Sequence, residues 1–154
     1  DGALDSATAT VSVNVTPVYL EQAKRTGIGV GLVDTGIVRF PPLLAVKNGI
    51  MLTGDSEAAT EDTIVRRYKS GLNSSVLKVG HHGSRFSSSA NFLAEVTPQI
   101  AVIGVGEKNR YGHPTPAALS RLRAVGSKIY RTDQEGTIRL SVGGGRVAVG
   151  AIKN

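Results

Sequence analysis

"VLKVGHHGSRFSSS", residues 76–89, joins a short apolar run to two adjacent histidines set between glycines, then to an arginine and a row of serines. A short apolar run bounded by glycine reads as a strand buried on both faces, so this strand ends in two of the chain's three histidines. Such histidines are either packed structural residues or ligands, and the neighbouring elements bear on which. Upstream, residues 56–71 (SEAATEDTIVRRYKSG) place acids in the first turns, Arg66, Arg67 and Lys69 near the end and Gly71 as a stop, a charge order that suits a helix macrodipole. Downstream, SSANFLAEV reads as a short helix and IAVIGVG as a second doubly buried strand. Thr115 then caps a helix that Pro116 opens and Gly126 closes. KIYRT, TIRLSV and RVAVGAI end the chain as strands, the last two joined by a turn at Gly143, Gly144 and Gly145.

Before the long helix, GIGVGLV (27–33) reads as a strand and LLAVKNGIMLTGD (43–55) as a hairpin turning at Lys47, Asn48 and Gly49. The opening TATVSVNVTPV alternates Val11, Val13 and Val15 with polar residues, as a half-exposed strand does. Its Thr/Ser-rich style sets a boundary near Pro17, with residues 1–17 either a strand-like N-terminal segment or the tail of a preceding repeat domain, and 18–154 the main domain.

The 154 residues suffice for a single core that buries about two-thirds of the unfolded surface. Nineteen glycines argue for tight turns and a mixed α/β domain over a helical bundle. A net charge of +6 favours anionic partners, nucleic acid among them. Seven aromatic residues, three Phe and four Tyr, are few for a single-strand-binding module built on stacking platforms. Without cysteine, any metal must be held by His, Asp, Glu or backbone. No stretch approaches the roughly twenty apolar residues of a membrane span, and the first residues lack the basic and apolar regions of a signal peptide. The piece reads as soluble.

Strand followed by helix recurs, and such crossovers line up the C-terminal ends of parallel strands along one rim, where ligands bind in open α/β sheets. The segments after the strands are Thr53 to Asp55, Gly80 to Ser84, Glu107 to Pro114 and Arg131 to Asp133, so an acid and both histidine-bearing segments share the rim. Carboxylate and imidazole are the donors that bind zinc or manganese without sulfur, and Asp55 with His81 is the leading pair. Ser87 to Ser89, at a helix N-terminus, suit an anion. Each residue also has a structural reading: Asp55 as a helix N-cap, His113 as a turn residue fixed by Pro114, Arg110 and Tyr111 as solvated loop residues.

Four segments, MLTGD, VLKVGHHGSRFSSS, IAVIGVGEKNRYGHPTPAALSRL and KIYRTDQEGTI, occur in the order found in the C-terminal metallo-β-lactamase-like domain of the ComEC competence family and its soluble relatives, which this chain resembles from about Leu43 to Leu140. The resemblance implies an αββα sandwich, truncated here to a mixed sheet with βαβ units plus C-terminal strands. It implies a metal-dependent hydrolase of phosphodiesters acting on DNA in competence-type uptake, on the extracellular or periplasmic side of the cytoplasmic membrane. Asp55 matches the carboxylate that bridges two metal ions, and His81 the metal-binding histidine after it. His82 is carried beside His81, because the sequence does not separate them. His113 matches a motif next to the site, where it would bind phosphate or protonate the leaving oxygen. Ser84, Arg85, Arg110 and Tyr111 would meet the substrate.

One departure stands out. Relatives of this superfamily carry an earlier His-x-His/Asp-x-Asp-His cluster, and here no histidine precedes His81. GLVDTG (31–36 with Leu32) holds Asp34 either in the turn that usually comes before that cluster or in a simple hairpin. A two-metal mechanism needs ions about 3.5–4 Å apart, and the chain has about half of such a site. A zinc or manganese ion would then be weakly held or completed by a partner domain, and a shortened sheet with an open apolar face would favour self-association. The alternative is a catalytically silent domain that binds DNA or protein.

Overall fold

The computed structural model describes residues 30–33, 38–39, 49–143 and 146–152. The tail at 1–17, Asp34, the turn at Lys47 and Asn48, and Gly144 and Gly145 lie outside the described residues.

Strands β1 (Val30–Val33) and β2 (Val38–Arg39) are followed by β3 (Ile50–Leu52), helix α1 (Ala58–Tyr68), β4 (Val76–Lys78), helix α2 (Ala90–Val96) and β5 (Ile100–Ile103). Helix α3 (Pro116–Ala124), β6 (Lys128–Arg131), the single turn α4 (Thr132–Glu135), β7 (Thr137–Gly143) and β8 (Arg146–Ile152) complete the order. Six strands form one sheet in the order β2-β1-β3-β4-β5-β6. Only β2 runs antiparallel to its neighbour; β1, β3, β4, β5 and β6 are parallel. Ile50, Val76, Ile100 and Lys128 lie in one register row. β7 and β8 form a separate antiparallel pair.

Because side chains alternate across a strand, the sheet makes two cores. Met51, Leu77, Ala101 and Ile103 point to the helices and meet Ile64, Leu72, Phe92, Leu93 and Leu122. Ile50, Val76 and Val102 point the other way and meet Ile138, with Leu140, Val147 and Val149 of the β7–β8 pair beside them. The molecule is therefore a mixed α/β structure of three layers: helices, parallel sheet, two-stranded sheet. β7 and β8 pack on the sheet face opposite the helices, over β3, β4 and β5. The hairpin reading of residues 43–55 fails at β3. Both of its edges are taken by parallel neighbours, β1 and β4.

α1 starts at Ala58 with Glu57 at the cap position, so Asp55 is not its N-cap. Its end is also displaced from Gly71: Lys69 takes the positive φ of 43°, and a 3₁₀ turn carries the chain through Lys69–Leu72. Thr115 and Pro116 open α3 as the sequence indicates, Thr115 accepting from the Ala118 amide at 3.3 Å.

The segment between β4 and α2 crosses the interior, and its backbone groups are met one by one, as burial requires. The fully buried Glu61 carboxylate accepts the Ser88 amide at 2.5 Å and the Ser89 amide at 2.8 Å. Arg121 donates to the carbonyls of Ser88 (2.8 Å), Arg85 (2.9 Å) and Ser87 (2.8 Å). The Ser87 hydroxyl donates to the Gly80 carbonyl at 2.7 Å, and the Ala58 amide to the Phe86 carbonyl at 2.8 Å. Burial pushes the Glu61 carboxyl upward, while the amides of Ser89 and Ser88 and the Arg121 charge pull it back. Replacing Glu61 by alanine should lower the urea midpoint by an amount equivalent to roughly 1–3 kcal/mol for the buried Ser88 amide alone. A midpoint equal to wild type would mean the loop holds without it.

Candidate functional site

The C-terminal ends of β3, β4 and β5 carry the chain's acid and imidazole residues to one place. After β3 the chain turns through Gly54, at φ 50°, and presents Asp55 at the surface. After β4 it makes an irregular turn at Gly80–Gly83 in which His81 (φ 45°, ψ 45°) and His82 (φ 52°, ψ 24°) are both left-handed. Two glycines make room for that turn. A Cβ at Gly80 would lie 2.9 Å from the Ser56 carbonyl oxygen, and one at Gly83, whose φ is +84°, would lie 2.6 Å from the Pro114 Cβ.

The consequence is that successive imidazoles meet different acids. His81 Nδ1 lies 3.1 Å from Glu57 Oε1. His82 Nδ1 donates to the Gly104 carbonyl at 2.5 Å, and its Nε2 faces Asp55 Oδ1 at 3.9 Å. A carbonyl or carboxylate only accepts, so in the neutral rings both Nδ1 atoms carry the proton and both Nε2 atoms keep a lone pair. That is the orientation of metal-binding histidines, whose other nitrogen is held by a carboxylate or a carbonyl. The sequence puts Asp55 with His81 first and carries His82 beside it; in the structure the Asp55 carboxylate faces the His82 ring, and Glu57 faces His81.

His113 joins the group from the loop after β5. Its ring centroid is 5.7 Å from that of His81, edge to face, and 6.1 Å from that of Tyr111, stacked. Asn109 holds it in place: its side-chain amide donates to the His113 carbonyl at 2.8 Å, and its oxygen accepts the His113 amide at 3.0 Å. His113 Nδ1 is buried without a partner. Burial, then the nearby His81 and His82, push the His113 imidazole below its ordinary value.

Other residues read from the sequence sit elsewhere. Ser84 is buried, its hydroxyl accepting from the Phe86 amide at 3.2 Å, so it shapes the turn and does not face solvent. Arg85, Arg110 and Tyr111 are exposed on the same side as the histidines' loops. The anion place read at Ser87 to Ser89 is already filled: the Ser88 and Ser89 amides are bound by Glu61. Asp133 is taken by Arg131 in a two-point pair, at 3.0 and 2.5 Å, and Thr132 ties β6 to Val105.

Two residues are missed by the sequence reading. Glu57 lies in the acidic start of α1 and is indistinguishable there from a helix-dipole acid. Lys78 is hidden by its apolar run; burial pushes its amine below the ordinary value, with Asp55 partly restoring it, and Nζ lies 3.5 Å from the Gly54 carbonyl.

Asp55 and His82 have the donor chemistry of a zinc or manganese site. Among the described residues, no three of His, Asp, Glu or Cys stand together as a metal-holding group. The described residues thus fit part of a metal shell and not a whole one.

Several known proteins are similar to the chain. It is 44% identical over 98 residues to "Competence protein ComA" of Neisseria gonorrhoeae, a match covering 64% of this chain and 14% of that protein. It is 39% identical over 89 residues to "ComE operon protein 3" of Bacillus subtilis, covering 58% and 11%. With "Recombination protein 2" of Haemophilus influenzae it shares 36% over 95 residues, covering 62% and 12%. The chain spans at most 14% of the length of these relatives. No family model matches the chain, and no solved structure matches it.

Because the folded His113 has a lowered proton affinity, the unfolded chain binds more protons once pH falls below the ordinary imidazole value of 6.5. Its contribution is complete above that value and is lost as pH falls through the folded one. The thermal midpoint of wild type should therefore drop more between pH about 7.5 and about 5 than that of His113→Asn. Parallel pH profiles would contradict the burial of this ring.

Proposed function

We propose that the chain is a metallo-β-lactamase-like hydrolase domain that acts on the phosphodiesters of DNA in competence-type uptake, on the outer side of the cytoplasmic membrane. The observation that carries the reading is that the segments after three parallel strands bring Asp55 to His82, and Glu57 and His113 to His81, with Nδ1 of His81 facing Glu57 and Nδ1 of His82 facing the Gly104 carbonyl. The names of the relatives, two of them competence or com-operon proteins, support the DNA-uptake context. The net charge of +6 supports a polyanionic substrate. Among the described residues no helix is long and apolar enough to cross a membrane.

Asp55 and His82 would hold a zinc or manganese ion, which brings Lewis acidity and an activated water to such hydrolysis. The remaining roles belong to the chain itself. The lowered proton affinity of His113 favours the neutral ring, which suits a proton acceptor or a hydrogen-bond donor through one N–H better than a charged acid. Asn109 holds the backbone that carries it. Arg85 and Arg110, both exposed, offer charge to the phosphate backbone. A second reading, a domain that binds DNA without cutting it, is favoured by the shortage of a third metal donor among the described residues.

Metal content and manganese- or zinc-dependent cleavage of linear DNA, compared between wild type, Asp55→Ala and His82→Ala, test the proposal. Wild type should cut, and each variant should lose both metal and activity, by at least the roughly 10–100-fold typical of even an outer partner of a metal. Binding of DNA with no cleavage under any metal would support the silent reading. Cleavage unaffected by either change would overturn the site.

A further inference from the structure

Among the described residues the exposed large apolar side chains are Phe86 (56%), Tyr111 (68%) and Ile152 (45%), and the two aromatic ones lie in the loops that carry the histidines. Tyr111 stacks beside His113, which meets His81. His81 also meets Glu57, and Glu57 and Phe86 line one open cleft of about 410 Å³ with Arg85, Ser87 and Arg121. Neighbour by neighbour, Phe86 is thus connected through Glu57, His81 and His113 to Tyr111. Both rings stand on pinned backbone. Phe86 is bonded at its amide to Ser84 and at its carbonyl to Ala58, and Tyr111 lies within the loop that Asn109 closes. Arg85 lies 5.0 Å from the Phe86 ring centroid, so this platform carries a cation on it.

We propose that Phe86 and Tyr111 are base-stacking platforms beside the histidine cluster, and that the site takes unpaired nucleotides in preference to duplex. The proposal rests on the DNA reading above and deepens it. An exposed ring held on a fixed backbone costs little further ordering when a base lands on it, and stacking needs a base whose face is free. Paired bases hide their faces within the duplex, so a duplex can use the basic residues but not the rings. A strand with a base on each ring has its backbone near the histidines that these neighbours connect. The scarcity of aromatic residues still excludes a long stacking surface; two platforms serve only a short one.

The test is fluorescence anisotropy at one fixed salt concentration, with the 154-residue chain, a labelled single-stranded oligothymidine and a blunt duplex of equal length. Wild type should bind the single strand the more tightly. Phe86→Leu and Tyr111→Leu should each weaken single-strand binding by roughly 5- to 150-fold, the span of one stacked base, with duplex binding unchanged. Phe86→Trp should restore it, which a loss of folding would not allow. Equal binding of single strand and duplex, or leucine variants that bind the single strand as wild type does, would overturn the stacking proposal while leaving the DNA reading in place. Binding of neither form would overturn both.

Discussion

Two consecutive non-glycine residues in the left-handed region, His81 and His82, set what the rim of this sheet can do. For L-residues that conformation costs about 1–2 kcal/mol each and persists only where the surroundings over-determine it. Here they do. The His81 amide donates to the Gly54 carbonyl at 3.1 Å, the Ser84 amide to the His81 carbonyl at 2.9 Å, and the Thr115 amide to the Gly83 carbonyl at 2.9 Å. β3, β4 and the loop after β5 are thereby tied together at the point where the histidines emerge. The twist that strains the backbone also sends neighbouring rings to separate acids, Glu57 and Asp55.

The segment that follows shows how costly that arrangement is to support. A charged carboxylate and a guanidinium are committed to the backbone of residues 85–89, which frees neither for substrate. Glu61 takes the place an external anion would have at the start of α2, and Arg121 binds three carbonyls on the outer turn. In return the backbone that carries Arg85 and Phe86 is held close to the histidine turn. Fold and site share these contacts, so neither can be altered alone.

Much of the fold is legible in the sequence because its signals are local. Apolar runs at Val76 and Ile100 give doubly covered strands, and Thr115 with Pro116 gives a capped helix start. Their order along one rim follows from parallel crossovers, and this is enough to bring Asp55 near the histidine pair. What is not legible depends on backbone torsions or on distant partners. Which histidine faces Asp55 turns on the φ of two residues, and the role of Ser84 on its burial. Asn-Gly at 48–49 signals a hairpin, yet β3 has parallel neighbours on both edges, a tertiary outcome that overrides turn chemistry. Glu57 and Lys78 carry no pattern that separates them from a helix-dipole acid or a strand residue.

The account stands or falls on the orientation of the two adjacent imidazoles. Ring-nitrogen NMR of the ¹⁵N-histidine protein at a pH above the ordinary imidazole value measures it directly. His81 and His82 should each be protonated at Nδ1, with Nε2 showing the shift of an unprotonated nitrogen. Protonation at Nε2 of His82, or rapid exchange between the two tautomers, would contradict the bond to Gly104 and with it the facing of Asp55 and His82.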